Sequence, residues 1–182
     1  MKSLSLFVTA LFMSSSLMAS GVDLAQTKFT WTATKKMSAG HTGTVPLKSH
    51  DVKFDDKGNI TAGEFVISIA EADVTDLSGE WKDKFLAHVK GGDFFEVDKY
   101  PTAKLVLNSV SNGTAKGKLT IKDKTQDVSI KFKQDGKKYT GQLVFDRTKF
   151  GVIYGSGNFF KELTADKVIN NDVTVDFTVA VK

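Results

Sequence analysis

The sequence predicts a mainly-β domain in which antiparallel strands close as a barrel or pack as a sandwich, with one short helix. Three observations lead to this prediction. Apolar residues recur at every second position in several runs, short turn sequences separate those runs, and one segment changes to a period near four. Alternation with a period of two places one face of a strand on an apolar interior and the other in water. Many such strands joined by short turns indicate an antiparallel meander.

The strand runs appear in the following order along the chain. Each alternates apolar residues with polar ones, except the second, which is apolar almost throughout. The apolar positions are Phe29, Trp31 and Ala33; Phe65, Val66, Ile67 and Ile69; Ala103, Leu105 and Leu107; Leu119 and Ile121; Val128, Ile130 and Phe132; Tyr139, Gly141, Leu143 and Phe145; and Val173, Val175, Phe177, Val179 and Val181.

Turn residues punctuate these runs. Residues 56–59 (DKGN) separate two strands, and Asn-Gly at 112–113 and Asp-Gly at 135–136 predict tight hairpins, because these pairs adopt positive φ at low cost. Pro46 and Pro101 lie where a strand begins or is interrupted, as expected of a residue without a backbone N–H.

One segment predicts a helix rather than a strand. Leu77, Trp81, Phe85 and Val89 recur every four residues with charged residues between them. We predict a helix near residues 76–89, ended by the glycines at 91–92. We expect this helix to plug one end of the barrel, and the alternative is a helix that docks on a membrane.

The N-terminus has the layout of a secretory signal peptide. Lys2 precedes an apolar stretch, and Ala19 before Ser20 offers a cleavage point. We therefore predict a signal peptide over residues 1–19, a single domain over residues 20–182, and an exported protein. The alternative is an uncleaved N-terminal anchor.

Composition excludes several functions. The chain has no cysteine, so thiol chemistry and cysteine-type metal sites are ruled out. The net charge is +4, but the lysines are dispersed and Arg147 is the one arginine, which argues against nucleic-acid binding. A transient contact with an anionic membrane surface stays open. His41, His50 and His88 lack the spacing of metal ligands, so we expect no metal, no cofactor and no enzyme activity.

Four segments resemble the YceI-like family. They are residues 85–101 (FLAHVKGGDFFEVDKYP), 117–125 (GKLTIKDKT), 147–152 (RTKFGV) and 172–175 (DVTV), and they occur in the order in which the family has them. The chain departs from the family pattern at Asp123, where a glycine is usual, and residues 154–169 are less familiar.

The resemblance implies an extended eight-stranded antiparallel barrel of the lipocalin-like kind, whose lumen holds a polyisoprenoid or an isoprenoid quinone. It also implies a periplasmic location, with full secretion as the alternative. An eight-stranded barrel encloses about enough space for one slender ligand.

The candidate ligand-binding residues are inward-facing aromatic and aliphatic side chains. The family motif places two of them, Phe94 and Phe95, beside the barrel mouth. Arg147 is expected to pair either with a ligand head group or with Asp93 or Glu96 in a structural ion pair, and we favour the ion pair. The full set of candidates is Trp31, Phe65, Ile67, Phe94, Phe95, Leu105, Leu107, Phe132, Phe145, Phe150 and Phe177.

Three hypotheses follow. The leading one is a periplasmic carrier or reservoir for a long-chain amphiphilic lipid. The second is an enzyme acting on a lipid through His88 and Asp93. The third is a secreted, stress-related interaction protein whose phenylalanines fill the barrel. Whether two barrels pair as a homodimer stays open.

Overall fold

The computed structural model describes residues 21–182, so the predicted signal peptide lies outside the described residues. The described chain forms ten strands, one α-helix and a short 3₁₀ turn over Arg147–Phe150. The helix is α1 (Gly79–Lys90). The strands are β1 (Lys28–Lys35), β2 (Ser38–Thr44), β3 (Leu47–Phe54), β4 (Ile60–Ser68), β5 (Asp73–Val74), β6 (Thr102–Ser111), β7 (Thr114–Ile121), β8 (Lys124–Asp135), β9 (Lys138–Asp146) and β10 (Ile169–Ala180).

The strands form one curled antiparallel sheet in the order β3-β4-β6-β7-β8-β9-β10-β1-β2-β5. This confirms the predicted lipocalin-like fold, but the prediction of eight strands was wrong because two long strands are interrupted. Val45 and Pro46 separate β2 from β3, and residues 69–72 separate β4 from β5. Both prolines act as predicted, since Pro101 directly precedes β6.

The interruptions bring the two ends of the sheet together. Gly43 in β2 pairs with Val74 in β5, and after the bend the same chain continues as β3, which pairs with β4. The Ser68 amide also donates to the Pro46 carbonyl at the bend (3.0 Å). The sheet therefore wraps around its own apolar face.

One end of the curled sheet, which we call the base, is filled by buried side chains. Val22 pairs with Val181 across it. Ile60 and Tyr139 are buried there, and the Ile60 amide donates to the Tyr139 hydroxyl over 3.0 Å. These residues belong to the larger of two core clusters, which seals the base.

The opposite end, which we call the mouth, carries the two longer connections, one with α1 and one formed by residues 151–168 between the 3₁₀ turn and β10. The short β1–β2 turn lies at the same end. The helix lies close to its predicted position near residues 76–89, displaced by three residues at its start. The predicted apolar stripe was wrong in part, since Leu77 precedes the helix and Trp81 is 74% exposed. None of the helices within residues 21–182 is long and apolar enough to cross a membrane.

The predicted hairpins form where expected. Asn112 and Gly113 have φ of 50° and 70° between β6 and β7. The β7–β8 turn has the same left-handed conformation at Lys122 (φ 48°) and Asp123 (φ 59°). A glycine at position 123 would adopt this conformation without strain, so the structure accounts for the glycine that is usual in the family.

Candidate ligand cavity

An apolar cavity of about 470 Å³ lies inside the curled sheet. Its wall consists of the inward-facing side chains of the strands, and α1 and residues 151–168 border it at the mouth. Alternate residues of β10 show how the wall is built, since Val173, Val175 and Phe177 face the cavity while Asp172 and Asp176 are exposed. These three inward residues remain only half-buried, because the space in front of them is not filled.

The cavity is elongated. Its lining includes β10 residues from Ile169 to Val179, a run of about 33 Å at roughly 3.3 Å per residue. A strand tilt of roughly 40° leaves a length of about 25 Å along the barrel axis. Because the base is sealed, the long apolar space is accessible from the mouth.

The structure brings all but one of the candidate residues together around this cavity. Phe150 is the exception. It is 1% exposed and packs edge-on against Phe145, with ring centroids 5.6 Å apart, in the smaller core cluster beneath the mouth. The candidates that line the cavity are Trp31, Phe65, Ile67, Phe94, Phe95, Leu105, Leu107, Phe132, Phe145 and Phe177.

One side of the mouth is formed by the packing of α1 on β1 and β2. The Phe85 ring stacks parallel to Trp31 at 6.3 Å and contacts His41 at 4.6 Å. The Trp31 indole donates to the Asp73 carbonyl (3.1 Å). Gly43 makes this possible, because a Cβ at that position would lie 2.5 Å from the indole ring.

Two hydrogen bonds hold the segment that leads into α1 on the same side. Asp76, just before the helix, bonds through Oδ2 to Nδ1 of His41 (3.0 Å), and its Oδ1 accepts the Thr42 amide (3.2 Å). Burial raises the pKa of Asp76, but the bonds from His41 and Thr42 outweigh it and hold the pKa below its ordinary value of 3.8.

The other side of the mouth is an aromatic cluster of His88, Phe94 and Tyr154. The three ring centroids lie 4.8–5.2 Å apart. Nε2 of His88 lies 3.2 Å from Oδ2 of Asp93. His88 and Asp93, the two residues proposed for a lipid-acting enzyme, are thus adjacent. The bond to Asp93 also orients the His88 imidazole within the aromatic cluster. In residues 21–182, no third His, Asp or Glu joins either histidine in a group of metal-ligand type.

Arg147 does not form the predicted ion pair with Asp93 or Glu96. It is 3% exposed, and its guanidinium donates to four backbone carbonyls rather than to Asp93 or Glu96. The acceptors are Asn170 (3.1 Å, from Nε), Val152 (2.7 Å) and Tyr154 (2.9 Å, both from Nη1) and Ile169 (3.1 Å, from Nη2). Burial lowers the pKa of Arg147, and Asp146 opposes that shift.

These four bonds explain how residues 151–168, whose role the sequence did not indicate, are held at the mouth. Two acceptors, Val152 and Tyr154, lie where residues 151–168 begin, and the other two lie where β10 starts. Arg147 therefore pins both ends of this loop to the mouth. Glu96, the other predicted partner, pairs instead with Lys122 (3.1 Å).

The charged side chains that line the cavity are all cationic. They are Lys35, Lys90 and Arg147, and the histidines at 41 and 88 accompany them. In the part of the chain that the structure describes, neither Lys35 nor Lys90 has a carboxylate within 4 Å. The mouth is thus the polar end of an otherwise apolar cavity, and the charged residues in the cavity lining there are cationic.

Sequence reasoning missed several lining residues. Phe29, Val173 and Val175 share the face of strands that already carried candidates, so the period of two would have found them. His41 and Tyr154 reach the mouth from a hairpin and an irregular loop. Their position depends on long-range packing, which leaves no local signal.

A curled antiparallel sheet with an apolar cavity open at one end defines a barrel-type binding protein. The family comparison is specific. Residues 21–181 match the model of the YceI-like domain, and the chain belongs to that family. This confirms the resemblance in the sequence.

Solved structures of the same kind support the fold. BcnA of Burkholderia cenocepacia is 26% identical, with a TM-score of 0.67 over 89% of this chain and 99% of that one. A YCEI protein of Campylobacter jejuni is 18% identical, with a TM-score of 0.52 over 76% of this chain and 84% of the other, and shows the fold alone.

Curated relatives include UPF0312 proteins from Staphylococcus aureus strains USA300, NCTC 8325 and COL. Each is 29% identical over 104 residues. The match covers 51% of this chain and 61% of each relative.

Proposed function

We propose that the protein is a periplasmic carrier or reservoir that binds the tail of a long-chain isoprenoid lipid, such as a polyprenyl lipid or an isoprenoid quinone. The tail occupies the cavity and the polar head lies at the mouth. No catalytic step is part of this function. The observation that carries the proposal is the long apolar cavity with one polar end.

The length of the cavity favours a tail longer than an ordinary acyl chain. The hydrocarbon core of a bilayer is about 30 Å thick, so one leaflet accommodates tails of about 15 Å. The cavity extends about 25 Å by the strand geometry given above. An isoprenoid chain longer than a leaflet would use the whole of it.

The apolar wall supplies affinity without specific polar contacts. Each CH₂ group removed from water contributes roughly 0.8 kcal/mol. A tail of many carbons therefore gains enough free energy from burial to offset the conformational entropy that it loses on binding. The same apolar shield would let such a lipid cross an aqueous compartment.

The open cavity argues against the alternative of an interaction protein with a filled barrel. That alternative needs the phenylalanines to occupy the interior. Instead Phe29, Phe132 and Phe177 line a space that remains open, and they are only half-buried.

The experiment is native mass spectrometry of the protein purified from its own periplasm without detergent. We expect an added mass that is lost on denaturation and that corresponds to an isoprenoid lipid. Purification also tests the periplasmic location, because the protein should appear in the osmotic-shock fraction without residues 1–19.

A matched pair of variants ties the ligand to the cavity. Val175→Trp, on the inner face of β10, should abolish the added mass and the uptake of labelled polyprenol delivered from cyclodextrin. Val144→Trp, on the exposed face of β9, should leave both unchanged. Equal uptake by the two variants, or a wild-type protein that carries and takes up no lipid, would refute the proposal.

A further inference from the structure

The most exposed large apolar side chains within residues 21–182 are concentrated at the mouth. Seven such side chains are 40% exposed or more. Four of them are aromatic, and all four belong to α1 or to residues 151–168. The seven are Leu24, Met37, Trp81, Val144, Tyr154, Phe159 and Phe160.

These side chains are held in place by the fold. The Phe159 and Phe160 amides both donate to the Ser156 carbonyl (3.0 and 2.9 Å). Ser156 is itself fully buried, with its hydroxyl 2.7 Å from Oδ1 of Asn171. The two phenylalanines are thus presented to solvent by an anchored turn, where burial would be expected of such residues.

Met37 belongs to the same surface. It occupies the tip of the β1–β2 turn, which is joined to the end of the loop by the bond from the Lys36 amide to the Val168 carbonyl (2.9 Å). Met37, the loop and α1 therefore border one opening. We call the set of Met37, Trp81, Phe159 and Phe160 the mouth rim.

Lysines accompany the rim. Lys36 adjoins Met37, Lys161 adjoins Phe160, and the Lys84 ammonium lies 5.6 Å from the centre of the Trp81 ring. Aromatic side chains with flanking lysines are typical of segments that insert at the head-group level of a membrane.

Carboxylates also occur at this end: Glu162 follows Lys161, Asp166 lies in the same loop, and five others are held in ion pairs. Among the described residues, Lys36 and Lys161 have no carboxylate within 4 Å. The paired groups at this end are Asp73 with Lys82, Asp76 with His41, Glu80 with Lys84, Asp93 with His88, and Glu96 with Lys122.

We propose that the mouth rim is a docking surface for a phospholipid bilayer that contains anionic lipid. The rim side chains enter the head-group region while Lys36 and Lys161 contact lipid phosphates. Docking places the cavity opening directly on the membrane, so a tail passes between the two without crossing water. The proposal rests on the proposed function only for the identity of the cargo.

The test is flotation of the cargo-free protein with vesicles of phosphatidylcholine and phosphatidylglycerol at 3:1. We expect binding that weakens as salt is raised, because the lysine contribution is screened. Dibrominated lipids should quench Trp81 fluorescence, and Trp81→Phe should remove most of that quenching while binding is retained.

Two exposed apolar residues form a matched pair. Phe159 is 54% exposed at the mouth, and Leu24 is 56% exposed at the base. Phe159→Ser combined with Phe160→Ser should lower the partition coefficient about tenfold or more, given the apolar surface withdrawn from the bilayer. Leu24→Ser should leave it unchanged.

Equal loss in the Leu24→Ser variant would overturn the proposal. A second result would also overturn it: wild-type protein that does not bind vesicles but sediments as a dimer, while the variant with both phenylalanine substitutions sediments as a monomer. That result would assign the rim to a second copy of the chain. Uptake of polyprenol from cyclodextrin separates this outcome from failure of the proposed function, because that assay needs the cavity and no membrane.

Discussion

Replacing Arg147 with methionine should destabilise the protein strongly, because its side chain holds four backbone carbonyls at the mouth. The side chain is buried and serves four carbonyl oxygens. Of the four bonds, the one to Val152 is fully buried and those to Tyr154, Ile169 and Asn170 are partly buried.

The magnitude follows from these surroundings. A carbonyl left without its donor costs about 1 kcal/mol where water can reach it and about 2–3 kcal/mol where it cannot. Removing the guanidinium also removes the cost of burying its charge, which offsets part of the loss. We expect Arg147→Met to lower the free energy of unfolding by about 3–5 kcal/mol, a large part of the stability of a domain of this size.

Arg147→Lys should fall between methionine and wild type, because one ammonium group cannot reach four carbonyls that are spread around a planar guanidinium. The assay is urea unfolding followed by tryptophan fluorescence. Lys149→Met, an exposed basic residue in the same 3₁₀ turn, is the matched control and should change stability by less than about 0.5 kcal/mol. A loss below about 1 kcal/mol for Arg147→Met would refute the reasoning.

Three further predictions concern single residues. Asp123→Gly should raise the free energy of unfolding by about 0.5–1 kcal/mol, since it relieves a left-handed aspartate, and urea unfolding checks it. The lowered pKa of Asp76 means that its bonds stabilise the fold above pH 3.8 and that this contribution is lost as the pH falls through the lowered pKa. Asp76→Asn should therefore lose less stability than wild type on acidification below pH 4. Lys90→Gln should weaken binding of a long-chain carboxylate about two- to fivefold while sparing the matching alcohol, as measured by displacement of a fluorescent probe. Equal weakening of both ligands would contradict a role for Lys90 at the head group.

The sequence predicted those parts of the molecule that depend on local pattern. The strands follow from alternation, and the hairpins follow from Asn-Gly and Asp-Gly pairs. The interruption of two strands was not predicted as such, although Pro46 signalled one of the two sites. Such breaks arise where a long strand bends to follow a curled sheet, which is a property of the whole barrel.

The candidate site was predicted less completely than the fold. Inward-facing strand residues such as Trp31 and Leu107 could be read from their period. Arg147 was assigned a carboxylate partner because charge suggests one, whereas its actual partners are backbone carbonyls that carry no sequence signal. Trp81 was assigned to the buried stripe because its spacing fits, yet spacing alone cannot tell which face of a short helix meets the barrel.

The sealed base has a consequence for how cargo would move. A tube with one opening admits a lipid only tail first and releases it only head first, so every bound molecule has the same direction. A lipid in a membrane points its tail away from a protein docked above it. To load, it must therefore turn end over end, with its head staying near the surface while its tail swings from the leaflet into the barrel. A flexible chain makes that inversion at less cost than a stiff one.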